Sequence, residues 1–154
     1  MIKKLFDKIS GTKVVKYPGL DRLSLNVPNK WNVYETNRFG ILSESQELDV
    51  ACTVFQASDQ SLEDFSLVKS EGVISKMPWY EPFQDRKELK IKQYPAHSSI
   101  YEGVWPEENE TTTYFVYCID LGGYFLTLTF TMLKRHFKCN QEHIKNILGS
   151  LEYK

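Results

Sequence analysis

Three cysteines, Cys52, Cys118 and Cys139, are all the chain has, and no two share a disulfide or metal-ligand spacing. That scarcity excludes a small disulfide-framed scaffold and fits a reducing compartment, so the expected location is the cytoplasm. No stretch approaches the ~20 consecutive apolar residues needed to cross a bilayer, and the opening MIKKLFDKISG holds no apolar run of signal-peptide length; no stable membrane insertion is expected. Glycine-rich phosphate loops and nucleophile elbows are missing too: there is no G-x-G-x-x-G and no G-x-S-x-G. With no such motif, no cofactor and no enzymatic activity are expected. A net charge of −1 gives no polyanion footprint, so nucleic acid is not an expected partner.

What the chain does have is aromatic and β-branched residues. Nine Tyr, nine Phe and three Trp in 154 residues favour a β-rich fold with a thick core. A chain of this length buries roughly two-thirds of its unfolded surface, and a single domain over 1–154 is expected. The clearest element is a long hairpin, TTTYFVYCIDL and YFLTLTFTML around Gly122-Gly123. A two-residue glycine turn fixes its register: Leu121 opposite Tyr124 puts Ile119/Leu126, Tyr117/Leu128 and Phe115/Phe130 on one apolar face. Asp120/Phe125, Cys118/Thr127, Val116/Thr129 and Tyr114/Thr131 then share the other.

Around this hairpin the pattern predicts further elements. Ile2, Leu5, Phe6 and Ile9 fall at helical spacing, and residues 1–16, with five Lys against one Asp, are expected to form an N-terminal helical segment. Leu23, Leu25 and Val27 alternate as a strand ending at Pro28. Strands over 38–43 and 48–57 flank the polar link Glu44 to Glu47. Ser61 is the expected N-cap of a helix with Leu62, Phe65 and Val68 as its apolar stripe. Met77 to Phe83 reads as a proline-bounded aromatic loop, Leu89 and Ile91 as an edge strand among lysines, and Ile100 to Trp105 as a short strand. Asn140 is the expected cap of a last helix that docks Ile144, Ile147, Leu148 and Leu151 on the sheet. Gly149 and Ser150 in that helix point to a close approach to neighbouring backbone. These elements make an α+β fold, an antiparallel β-sheet flanked by helices in an α/β/α sandwich.

Two sets of residues stand out as sites. Trp79, Tyr80, Phe83 and Trp105 lie in or beside proline-bounded segments, where the rings either fold back to cover a sheet edge or, on pre-ordered chain, form the rim of a protein- or peptide-binding groove, the partner site expected here. His136, Cys139 and His143 carry N and S donors at spacings of three and four, the alternative being a small metal-binding protein or enzyme centred there. A solvated pair of histidines with a buried cysteine is the structural reading of the same residues.

The order of elements, with Leu25-Asn26-Val27-Pro28-Asn29-Lys30-Trp31 after the first strand and Ser150-Leu151 near the end, resembles the PsbP-like and DcrB-like superfamily, over about residues 23–154. Those domains place an antiparallel sheet between helices. Their cytosolic relatives include a GTPase-binding nuclear import factor and chaperones for type VI secretion effectors. The resemblance implies a non-catalytic, cytosolic protein-binding or chaperone-like module.

Overall fold

A computed structural model describes residues 11–75, 81–104 and 109–154. Among them, ten antiparallel strands form two sheets, and two α-helices and a short 3-10 turn complete the fold. A three-stranded sheet has the order β1 (Thr12–Tyr17), β2 (Leu20–Pro28), β10 (Glu152–Tyr153). The seven-stranded sheet has the order β3 (Asn32–Glu35), β4 (Phe39–Leu42), β5 (Asp49–Gln56), β9 (Tyr124–Leu133), β8 (Thr111–Asp120), β7 (Tyr94–Val104), β6 (Glu81–Ile91). Helix α1 spans Leu62–Ser75 and α2 spans Phe137–Gly149.

The β8–β9 hairpin has the expected register, Phe115↔Phe130, Tyr117↔Leu128 and Ile119↔Leu126. Leu121 N–H donates to the Tyr124 carbonyl at 2.9 Å, and Gly122 takes φ +104°, a left-handed value that glycine reaches at no steric cost. One face of this hairpin is the main core. Ile119, Leu128 and Phe130 are fully buried there, beneath Leu25 and Val27 of β2 and Ile144, Ile147 and Leu151 of the C-terminal segment. The opposite face holds a smaller cluster, in which Phe65 of α1 meets Phe55 and Phe125 with ring centroids 5.3 and 4.8 Å apart.

The architecture is therefore mostly sheet, and the expected α/β/α sandwich is corrected: the core face is covered by a second sheet together with α2, and α1 lies on the other face. The missing piece was β1. Residues 12–16 are not helical, because Thr12, Val14 and Val15 are β-branched and the Pro18-Gly19 turn, with Gly19 at φ +80°, folds β1 back on β2. Residues 1–10 lie outside the described residues.

Three local readings also change. Val68 is 54% exposed; α1 turns Phe65, Ser66 and Ser70 to the sheet instead, and Ser70 Oγ lies 3.5 Å from Ser99 Oγ, since small side chains let the helix approach β7 and β8. Ser61 caps α1 as expected, its hydroxyl accepting from Asp64 N–H at 3.1 Å. Asn140 is no N-cap: α2 starts at Phe137, whose ring stacks on Phe115 at 5.0 Å, and the buried Asn140 amide donates back to the His136 carbonyl at 2.8 Å. Finally, residues 81–83 of the expected 77–83 loop belong to β6, which begins at Glu81, and residues 77–80 lie outside the described residues. Pro82 is tolerated there because β6 is the sheet edge, and the register shifts between Pro82 and Gln84, leaving Phe83 at the irregularity.

Leu128 lies at the centre of the main core at 0% exposure. Leu128→Ala is expected to cost about 2–5 kcal/mol of unfolding free energy, measured as the shift in a urea transition. A loss within about 0.5 kcal/mol, the range of an ordinary surface change, would contradict this packing.

Candidate functional site

The last residues of β2 run into the turn Pro28-Asn29-Lys30-Trp31, closed by Trp31 N–H donating to the Pro28 carbonyl at 3.1 Å. Trp31 is only 5% exposed, its ring lying edge-on to the His143 ring of α2 with centroids 5.1 Å apart. Lys13 of β1 reaches across and donates Nζ to the Trp31 carbonyl at 2.6 Å. A groove of about 400 Å³ opens between this turn, the 43–47 link between β4 and β5, and the first two turns of α2. Its volume falls in the range of small-ligand and peptide side-chain pockets.

Each wall has its own chemistry. Pro28 and Trp31 supply the apolar side, Glu44 and Glu47 the charged side, and Cys139 and His143, one helical turn apart, the α2 side. The 43–47 link is held tightly at its neck: Ser43 N–H donates to the Leu48 carbonyl at 2.9 Å, and Ser43 Oγ accepts from Leu48 N–H at 3.0 Å. Gln46 turns the tip at φ +64°. The acidic side chains therefore project from a short, internally bonded loop.

His136, Cys139 and His143 engage different partners. His136 Nε2 lies 3.7 Å from Glu47 Oε1 at the groove's edge, Cys139 Sγ donates to the His136 carbonyl at 3.2 Å, and His143 packs on Trp31. Among the described residues no group of three or more His, Cys, Asp or Glu is arranged to hold a metal ion. Trp79, Tyr80 and Trp105 lie outside the described residues, and of Phe83 the structure gives the backbone position at the edge of β6. The strands that flank these aromatics end together, Glu81 pairing with Glu102.

The sequence reading missed Trp31, Glu44 and Glu47 as one site. Their signal was present but split: a Pro-x-x-Trp turn after a strand, and an acidic pair in a polar link. Only the fold brings them together.

No family profile matches the chain, and no curated protein matches it. Solved structures do. The cyanobacterial PsbP protein CyanoP of Synechocystis sp. superposes with a TM-score of 0.71 at 10% identity, over 94% of this chain and 93% of that one. The fold is PsbP-like. The Ran-binding protein Mog1p of Saccharomyces cerevisiae shares it with a TM-score of 0.63 at 9% identity, over 92% of this chain and 95% of that one. A protein of Bacteroides thetaiotaomicron matches at 0.67 and 17% identity over 92% of this chain, which spans only 48% of its length. The PsbP-like fold thus fits the Pro28-x-x-Trp31 and Ser150-Leu151 motifs, and here Ser150 touches the strand that leads into the first. Ser150 Oγ accepts from Asn26 N–H at 2.8 Å, which is the close backbone approach expected of this helix end.

Burial pushes the Cys52 thiol up to about 12 and Cys118 up to about 11, whereas Cys139 is exposed on the groove wall. At neutral pH a maleimide is expected to modify Cys139 in the native protein and to reach Cys52 and Cys118 only on unfolding, read by peptide mass spectrometry. Both buried thiols are raised above their unfolded value, so their contribution to stability is complete below that value. It is lost as pH rises through the folded values, toward about 11 and then about 12. Rapid native labelling of Cys118 would refute its placement under α1.

Proposed function

We propose that this protein is a non-catalytic, chaperone-like binding module of the cytoplasm, and that it takes a basic amphipathic peptide segment of a protein partner in the Trp31–Glu44–Glu47 groove. The observation that carries this reading is the composition of the groove: its lining includes the carboxylates of Glu44 and Glu47 together with the apolar Pro28 and Trp31. A segment with an apolar face and lysines beside it satisfies both walls at once. Ran binding by Mog1p, which shares the fold, supports a protein partner. The free thiols, two of them buried within strands, suit a reducing compartment.

Exposed ion pairs contribute at most ~1 kcal/mol each, so two carboxylates account for affinity differences of about tenfold, and reversing their sign adds repulsion. The test is fluorescence polarisation with labelled amphipathic peptides that share apolar positions and carry Lys, Ser or Glu between them. The Lys peptide is expected to bind best, and Glu44→Lys/Glu47→Lys is expected to weaken it by about tenfold or more with an unchanged melting temperature. Equal binding of all three peptides, or Lys-peptide binding untouched by the charge reversal, would refute the proposal.

A further inference from the structure

The α2 wall of the groove holds a buried acceptor that the fold leaves without a donor. Asn140 is 4% exposed and lines the groove beside Cys139. Its Nδ2 donates to the His136 carbonyl at 2.8 Å, and that bond fixes which way the amide points. Turned over, the amide would set Oδ1 against the carbonyl, two acceptors with no proton between them. Oδ1 therefore takes the other side, and among the described residues it accepts no hydrogen bond. Its polar neighbours are already engaged: Ser43 Oγ accepts from Leu48 N–H at 3.0 Å, and the Cys139 thiol donates to the His136 carbonyl at 3.2 Å. An amide oxygen on a buried side chain destabilises a fold unless solvent or a ligand supplies the missing donor.

Resting on the binding reading above, we infer that Asn140 determines the specificity of the groove: its Oδ1 accepts an N–H from the ammonium of one lysine of the bound segment, while Glu44 and Glu47 balance the charge. A lysine suits this lining. Its stem is apolar and lies along Pro28 and Trp31, and its head carries only donors. Carboxylates near the surface attract a cation from any direction, so alone they hold cations of equal charge about equally. A fixed carbonyl answers only a donor. The groove thus reads N–H as well as charge, and separates a lysine from a cation that has no proton to give.

The test measures, by fluorescence polarisation on the full chain, two amphipathic peptides with acetylated N-termini that differ at one central residue, lysine or Nε-trimethyl-lysine. Trimethylation keeps the charge and removes every N–H of the head, so it is expected to weaken binding about tenfold, the effect of leaving one buried acceptor unpaired. In Asn140→Ala the two affinities are expected to become equal; their ratio within one protein does not depend on the fraction folded, and the wild-type comparison stands whether or not the variant folds. In Glu44→Lys/Glu47→Lys both affinities are expected to fall together with their ratio kept. Equal affinities in wild type, or a ratio unchanged in Asn140→Ala, would overturn the role of Asn140 and leave a groove that reads charge alone. A peptide with serine at the central position and a free N-terminal amine, bound as tightly as the lysine peptide, would overturn the assignment to a side chain by placing a chain terminus in the groove. If the lysine peptide does not bind wild type at all, the groove reading falls and this one with it.

Discussion

The register of one hairpin governs this fold. A two-residue turn at Gly122-Gly123 leaves Leu121 bonded to Tyr124, and from there the period of the pleat dictates which face every residue of β8 and β9 occupies. A slip of one residue would send Phe130, Leu128 and Ile119 to the side where α1 presents serines, and Thr127 and Thr129 into the main core. The neighbouring strands inherit the parity. Cys52 of β5 pairs with Leu128, and Ala96 of β7 with Ile119, so both fall on the core face, whereas Cys118 falls beneath α1. The different environments of the three thiols follow from this one alternation.

The core face needs a cover, and the two chain ends supply it by bonding to each other. Ser150 Oγ holds Asn26 of β2, and Tyr94 of the large sheet binds both backbone groups of Tyr153, accepting from its N–H at 3.0 Å and donating to its carbonyl at 3.3 Å. Where β4 stops at Phe39, Tyr17 of β1 takes over, its hydroxyl accepting from Val54 N–H at 3.2 Å. Tyrosine hydroxyls thus satisfy backbone groups at the seams between sheets, where a ladder would have left them unpaired. The groove is a by-product of this closure. Its walls are the end of β2, the link after β4 and the start of α2, three elements that meet only when the second sheet is in place.

Legibility followed the range of the interaction. The hairpin register, the Ser61 cap and the Leu23-Leu25-Val27 alternation are decided by residues within a few positions of each other, and all stand as read. Residues 12–16 fell within the expected helical segment because the apolar period over 1–10 and the five lysines over 1–16 outweighed the β-branched Thr12, Val14 and Val15. Val68 was assigned to a helix stripe by hydrophobicity; close packing over β7 and β8 instead selects Ser66 and Ser70, a choice no local pattern records. Asn140 looked like a cap because its side chain suits one, but the stacking of Phe137 on Phe115 starts the helix earlier. The groove was illegible for the same reason: Trp31 and His143 are 112 positions apart in a chain that gives no local hint of their contact.

Binding in such a groove depends on how little order remains to be imposed. The Trp31 ring is fixed against His143 and its carbonyl is held by Lys13, so the apolar wall has no rotamer freedom left to surrender. On the opposite side the 43–47 link could have been a floppy connection. Instead Ser43 bonds Leu48 through both backbone and hydroxyl, Gln46 N–H donates to the Ser43 carbonyl at 2.9 Å, and Leu48 is anchored at 0% exposure. Ordering a residue's backbone costs roughly 1–2 kcal/mol, comparable to the whole worth of a surface ion pair, so Glu44 and Glu47 on an unbonded loop would add little net affinity. On this loop most of that cost has been met in folding. That pre-ordering is what lets two carboxylates at the surface, Glu44 exposed and Glu47 half-buried, weigh in the binding of a partner.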